Sequence, residues 1–211
     1  MKQPATSNQQ PVTKLGAKQL RVSKPSSRDI SKIKRRDIYI ICDNILDTYN
    51  IGSIFRLADA VGVKKIYLCG ATETPPNSRI SKSSVGTDKW VNWEYDASAA
   101  EAIQEIRKRH SRPDRESDPR LREDDKGREI KVIAIEQHPK AIDFRKANYQ
   151  SPGTRYQVLA FVVGHETSGV SKEALELCDQ IAEIPMFGVN RSMNVMVSLA
   201  IVLYCARARL N

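Results

Sequence analysis

The chain has 211 residues, 40% hydrophobic and 28% charged, with a formal net charge of +9. That suits one packed domain with appendages, and no apolar run is long enough to span a bilayer. The charge is local: residues 1–37 hold ten Lys or Arg against two Asp, whereas the rest of the chain holds twenty-four against twenty-three.

Residues 1–36 have scattered apolar positions among Ser, Gln, Lys and Pro, which predicts a flexible basic arm carrying at most a short helix. Such an arm suits a polyanion such as RNA. A solubilising tail is the competing reading, and an organellar targeting peptide is another. Lys outnumbers Arg and no amphipathic helix shows, which argues against the latter. No secretory apolar stretch opens the chain, so a cytoplasmic setting is expected, with no membrane partner. Cys42, Cys69, Cys178 and Cys205 are far apart and form no CxxC pair. They read as reduced, mostly buried thiols, with no metal site.

The folded part, residues 37–211, begins with a strand at about 37–43, "DIYIICD". Ile51, Ile54, Phe55, Ala58 and Val61 then recur at helical spacing, with Asn50 as the expected N-cap and Gly62 as the stop. "KKIYLCG" is a second buried strand and "KWVNWEY" a third, shorter one. A helix over about 97–109 follows. "IKVIAIEQ" and "QVLAFVVG" are two more strands, "SKEALELC" a short helix, "QIAEIPM" the last strand and residues 192–208 the final helix. Between the second predicted helix and the fourth strand, residues 107–128 carry nine basic and six acidic side chains and one Leu, which predicts a charged surface loop. Strands alternating with helices predict an α/β fold: a mostly parallel sheet with helices on both faces.

Ligands bind such sheets outside the carboxyl ends of the strands. Four ends here are chemically loaded: Asp43, Asn44, Asn50 and Arg56 after the first; Glu136 and Gln137 after "IKVIAI"; "GHETSG" from Gly164; and "MFGVNRSMN" from Met186. Gly164 and Gly169 permit a tight turn. Phosphate-loop and GxGxxG fingerprints are both missing. His165 is either a base or an exposed loop residue, and Glu166 either supports the loop or meets substrate. Arg56 lies off the apolar stripe of its helix, so it is either solvated or free to meet phosphate.

"NIGSIFRLADAVGVKKIYL", "VVGHETSGVS" and "IPMFGVNRSMNVMVSLAIVLY" together resemble the three motifs of the SPOUT superfamily, in its TrmH-like branch of tRNA and rRNA ribose 2′-O-methyltransferases. "SVGTDKWV" and "AIDFRKANY" resemble further family segments. The match covers about residues 37–208, with Met193 standing where Leu is usual. The resemblance implies a C-terminal deep trefoil knot, S-adenosylmethionine as cofactor, an RNA substrate and a homodimer whose sites are completed across subunits. It implies that Glu136, Gly164, Ile184, Met186, Ser192, Met193 and Asn194 surround the cofactor, with no metal. Arg56 would meet the ribose 2′-OH and its phosphate, Asn50 would orient Arg56 or the RNA, Glu166 would support the loop, and Ser192 and Asn194 would shape the site. A guanidinium holds its proton tightly, so electrostatic stabilisation by Arg56 is preferred to proton abstraction. The final helix offers Val195, Leu199, Val202 and Leu203 to a core or to a subunit interface. Two alternatives stay open: a base-nitrogen RNA methyltransferase on the same scaffold, and a non-catalytic RNA-binding protein.

Overall fold

The computed structural model describes residues 25–111, 130–150 and 158–210. The greater part of the expected charged loop, and the first 24 residues of the expected arm, lie outside that range. Strands β1 (Arg36–Asp43), β2 (Val63–Cys69), β3 (Trp93–Asp96), β4 (Ile130–Ile135), β5 (Ile142–Asp143), β6 (Val158–Gly164) and β7 (Gln180–Glu183) form one sheet in the order β3-β2-β1-β6-β4-β7-β5. Every pairing is parallel. The helices are α1 (Ser27–Ser31), α2 (Thr48–Val61), α3 (Ser78–Ser84), α4 (Ala99–Ser111), α5 (Lys172–Glu176) and α6 (Val195–Arg209), with a 3₁₀ turn at Thr87–Lys89.

β1 and β6 lie at the centre, and both read as unbroken apolar runs because both faces are covered. Alternation along β1 divides the core. Ile38, Ile40 and Cys42 face one layer with Ile51, Phe55 and Leu199 of α2 and α6. Tyr39 and Ile41 face the other, with Ala102, Ile103 and Ile106 of α4. α6 is apolar all round rather than amphipathic. Val195, Leu199, Val202 and Leu203 are buried in this chain's own core, while Val197 and Tyr204 stand out to solvent.

Several boundaries differ from the sequence reading. The N-cap of α2 is Asp47, whose carboxylate accepts from Tyr49 N at 2.8 Å, so Asn50 sits inside the first turn. Gly62 stops the helix with φ 74°, as the sequence suggests. The last helix starts at Val195 because Asn194 caps it, its side-chain oxygen accepting from Met196 N and Val197 N. Helix α3 went unpredicted because "SRISKSS" offers one large apolar residue, Ile80, and no periodicity to detect. At the N-terminal edge Arg35, within the segment read as arm, is anchored: its guanidinium donates to the Val63 and Trp90 carbonyl oxygens at 2.9 and 3.1 Å.

Candidate active site

A cavity of about 470 Å³ opens at the carboxyl ends of β4, β6 and β7. It is lined by Glu136 and Gln137 after β4, by Gly164 to Thr167 after β6, by Ile184 and Met186 after β7, and by Ser192 to Val195 at the start of α6. Its volume falls in the range of small-molecule sites. All seven residues expected around a cofactor are in its wall: Glu136, Gly164, Ile184, Met186, Ser192, Met193 and Asn194.

Two glycines and one carboxylate shape the rear wall. His165 and Gly169 exchange backbone hydrogen bonds of 3.0 and 2.9 Å, folding the loop back on itself. A Cβ on Gly164 would lie 2.1 Å from the Gly169 carbonyl carbon, so no side chain fits there. Gly169 has φ 71°, and an added Cβ would meet the Glu136 carboxylate at 2.3 Å. That carboxylate accepts from Val170 N at 2.9 Å and from Gln137 N at 3.0 Å. Glu136 therefore ties the end of β4 to the loop after β6. Buried Asp43 does the same from β1, accepting from Ser171 N at 2.8 Å. His165 presents its Nδ1 to Thr167 N and Ser168 N at 3.0 and 3.2 Å. It is thus a loop-former within one turn, with its Nδ1 lone pair committed.

A second network links the cavity to α2. The Glu166 carboxylate accepts from Leu46 N (3.3 Å), Asp47 N (3.2 Å) and the Asn50 amide (3.1 Å). The Asn194 amide donates to the Asn50 side-chain oxygen at 3.0 Å. Partial desolvation would raise the Glu166 carboxyl, but the bonds from Asn50, its own backbone, Leu46 and Asp47 outweigh it and hold it below the usual range. Asn50 is buried and both ends of its amide are engaged. On the cavity's opposite rim the Gln137 amide donates to the Arg191 carbonyl oxygen. Ser192 turns toward Asn190, its hydroxyl 3.2 Å from the Asn190 side-chain oxygen.

Arg56 stands apart from this cluster. It is exposed, lies outside the cavity wall and makes no side-chain bond among the described residues. The structure thus brings together nine of the ten expected residues and leaves Arg56 on the outer surface of α2. Three contributors escaped sequence reasoning in their actual roles: Asp47 as cap, Asp43 as loop anchor and Gln137 as rim contact. The Asp three residues before Asn50 was a readable capping signal. The long-range bonds of Asp43 and Gln137 have no local signature. Among the described residues no group of His, Cys, Asp and Glu could hold a metal ion, and no helix is long and apolar enough to cross a membrane.

An open parallel sheet with a cavity at its strand ends, walled by glycine turns and amides, defines an α/β ligand-binding fold. The SpoU rRNA Methylase family profile matches residues 37–113 and 116–204, and the chain belongs to that family. It is 30% identical over 183 residues to a tRNA (guanosine(18)-2′-O)-methyltransferase of Thermus thermophilus, covering 85% of this chain and 80% of that protein. It is 28% identical over 182 residues to the enzyme of that name from Aquifex aeolicus, covering 85% and 73%. Against the Escherichia coli enzyme of that name it spans 64% of the longer protein. The crystal structure of the Aquifex aeolicus TrmH/SpoU tRNA modifying enzyme superposes with a TM-score of 0.66 at 27% identity, over 86% of this chain and 79% of that one. The fold is shared too with the methyltransferase AviRb of Streptomyces viridochromogenes in complex with AdoMet, at TM-score 0.67 and 24% identity, over 85% and 63%.

Proposed function

We propose that this protein transfers a methyl group from S-adenosylmethionine to a ribose 2′-oxygen of tRNA or rRNA. The observation that carries this reading is the cavity at the ends of β4, β6 and β7, joined to α2 by the Asn50–Glu166–Asn194 network. Membership of the SpoU family and the guanosine 2′-O activity in the names of relatives support it.

The donor set fits the cofactor. Ile184 and Met186 offer an apolar wall, and Gly164 leaves bare backbone. Ser192 and Asn194 add polar groups at one rim. When bound, the cofactor supplies a methyl group already activated on a sulfonium. The chain's own task is then alignment of the 2′-hydroxyl and stabilisation of the charge that develops on its oxygen as its proton passes to the adjacent RNA phosphate or to solvent. Arg56 takes the second role: a guanidinium does not act as a base at neutral pH, and its planar fork suits an alkoxide beside a phosphate. Glu166 and Asn50 hold the loop after β6 against α2 and so position the cavity wall rather than move protons.

Arg56 is exposed and lies outside its own chain's cavity, which supports a homodimer in which each subunit's Arg56 serves the other's site. The unpartnered Val197 and Tyr204 on α6 supply apolar surface for such an interface. The C-terminal segment passes through a preceding loop as a trefoil knot in this reading. The basic N-terminal arm contacts RNA, and the setting is cytoplasmic.

The test is a substrate RNA with a single deoxyribose at the methylated position. Only RNA offers the 2′-OH, so this substrate should bind and accept no methyl group. Methylation at the undiminished rate would move the nucleophile to a base and overturn the ribose assignment.

A further inference from the structure

Outside the cavity, one edge of the molecule gathers basic side chains that the fold leaves without partners. Helices α2 and α3 cross so closely at Gly52 that a Cβ there would lie 1.9 Å from Ser83 Oγ and 2.6 Å from the Ile80 carbonyl oxygen. Ser83 Oγ donates to the Thr48 carbonyl oxygen at 3.3 Å, beside the start of α2. Further on, Trp90 Nε1 donates to Asp59 at 2.9 Å, beside its end. The segment 78–90 therefore runs along α2. Arg56 is one turn beyond Gly52 on the stripe that faces this segment.

α3 buries Ile80 and Ser84 and leaves Arg79 and Lys82 exposed. At i and i+3 these two are neighbours on one helix surface. Lys89, in the 3₁₀ turn, is exposed too. Arg56, Arg79, Lys82 and Lys89 make no side-chain hydrogen bond or ion pair among the described residues. Several bases elsewhere are paired, Lys65 with Glu94, Arg107 with Asp179 and Arg145 with Asp143, whereas the four here stand along one packed edge. The carboxylates nearest this edge are already taken. Asp88 is buried under the Ser81 and Ser84 hydroxyls at 3.0 and 2.5 Å. Asp59 holds Trp90 and Arg35, and Glu73 holds Asn77 at 2.5 Å.

We infer that Arg79, Lys82 and Lys89 form a docking strip for the RNA phosphate backbone, flanking Arg56 and feeding the target ribose toward it. The inference rests on the proposed RNA methyl transfer and adds to it the surface that grips the substrate. Unpaired bases on a rigid, closely packed segment are suited to phosphate contacts, which position without reading sequence. An acidic protein partner is the competing occupant.

The test compares the full chain with R79A/K82A/K89A, and with K108A/K131A as a control that removes charge on α4 and at the start of β4. Binding of in vitro transcribed tRNA and of total rRNA is measured over a range of salt concentrations, together with S-adenosylmethionine affinity and methyl transfer to both. The slope of log affinity against log salt should flatten by about one per lost contact, ~3 for the triple variant, and equally for different tRNA sequences. S-adenosylmethionine affinity should stay unchanged, which also establishes that the variant is folded. An unchanged slope, or the same loss per charge in the control pair, would overturn the strip and leave the methyl-transfer reading standing. Absence of methyl transfer by the wild type, with tRNA binding still dependent on the strip, would overturn the reaction and leave the strip. Wild type that binds neither tRNA nor rRNA would overturn both and point to the acidic protein.

Discussion

Asn194 donates its amide to the side-chain oxygen of Asn50 at 3.0 Å, although 144 positions separate them in the chain. The same Asn194 caps α6 through its oxygen, and the same Asn50 donates onward to Glu166 at 3.1 Å. One side chain thus sets the start of the last helix and fixes the cavity rim against α2. This links the polar run between β7 and α6 to function: it satisfies a helix end and ties two distant segments at once.

Separating these two jobs is a direct test. Asn194→Ala should lose about 1 kcal/mol from the missing cap and weaken S-adenosylmethionine binding. Asn194→Asp keeps a capping oxygen but loses the donor, and it sets a carboxylate against the side-chain oxygen of Asn50. It should melt closer to the wild type than the Ala variant does while still binding the cofactor poorly. Calorimetry and thermal melts measure the two effects independently. Equal cofactor affinity in Asp variant and wild type would restrict Asn194 to capping.

The depressed Glu166 carboxyl gives a pH test. A folded value below the unfolded one means that its contribution is complete above the ordinary carboxylate value of about 4.3 and is lost as pH falls through the lowered value. Glu166→Gln removes this dependence. The melting temperature of the wild type should exceed that of the variant most at neutral pH, and the gap should narrow steadily as the solution is acidified below the ordinary value. A gap independent of pH would show that the charge on Glu166 does not matter.

Glycine at position 169 is required on two grounds, its φ of 71° and the Glu136 carboxylate 2.3 Å from any added Cβ. Gly169→Ala should cost more than about 1 kcal/mol, because Ala destabilises where φ is positive. Pairing it with Glu136→Ala, which clears the space but leaves the backbone strain, should recover part of the loss. Denaturant titration of the single and double variants gives the coupling.

How much of this was legible in the sequence follows from what each contact depends on. The central strands announced themselves as unbroken apolar runs, and the polar cavity residues Glu136, Gln137, Glu166, Ser192 and Asn194 as groups at strand ends, whereas Ile184, Met186 and Met193 came only from the family resemblance. Gly62 marks a helix end through local chemistry, whereas the Asn194 cap was missed and the last helix was begun at residue 192 instead of Val195. The α2 cap was misread because Asn50 is an equally good capping residue by type. Only the Glu166 and Asn194 contacts, over a hundred residues away, show that it is already committed. In the same way Val195, Leu199, Val202 and Leu203 carry no mark distinguishing core from interface. Packing against β1 and α2 assigns them to the core, leaving Val197 and Tyr204 outward.

The arm boundary can be tested by deletion. Arg35 is anchored to Val63, Trp90 and Asp59, so removing residues 1–24 should leave the melting temperature unchanged, whereas removing residues 1–35 should lower it. The shorter deletion should still flatten the salt dependence of RNA binding if the basic arm touches phosphates. An unchanged slope would make that segment a bystander.

The most consequential prediction concerns Arg56. Its side chain is exposed, unpaired among the described residues and outside its own cavity. Arg56→Lys keeps the charge and loses the planar fork, so methyl transfer should fall steeply, by about tenfold or more if one charge-assisted bond to the alkoxide is lost. Cofactor affinity should be unaffected, because no part of Arg56 lines the site. If the residue serves the partner subunit, two variants impaired in different halves of the site should complement each other at an S-adenosylmethionine concentration that does not saturate the Asn194→Ala cavity. Arg56→Ala retains an intact cavity, and Asn194→Ala retains an intact Arg56. In a mixed dimer, one of the two sites then combines a sound cavity with a sound arginine. Co-purified heterodimers carrying different affinity tags should recover up to about half of the wild-type rate per dimer, as one working site in two requires. Failure to recover activity, with heterodimers present by sedimentation, would place Arg56 in its own subunit's reaction and require α2 to move toward the cavity during turnover.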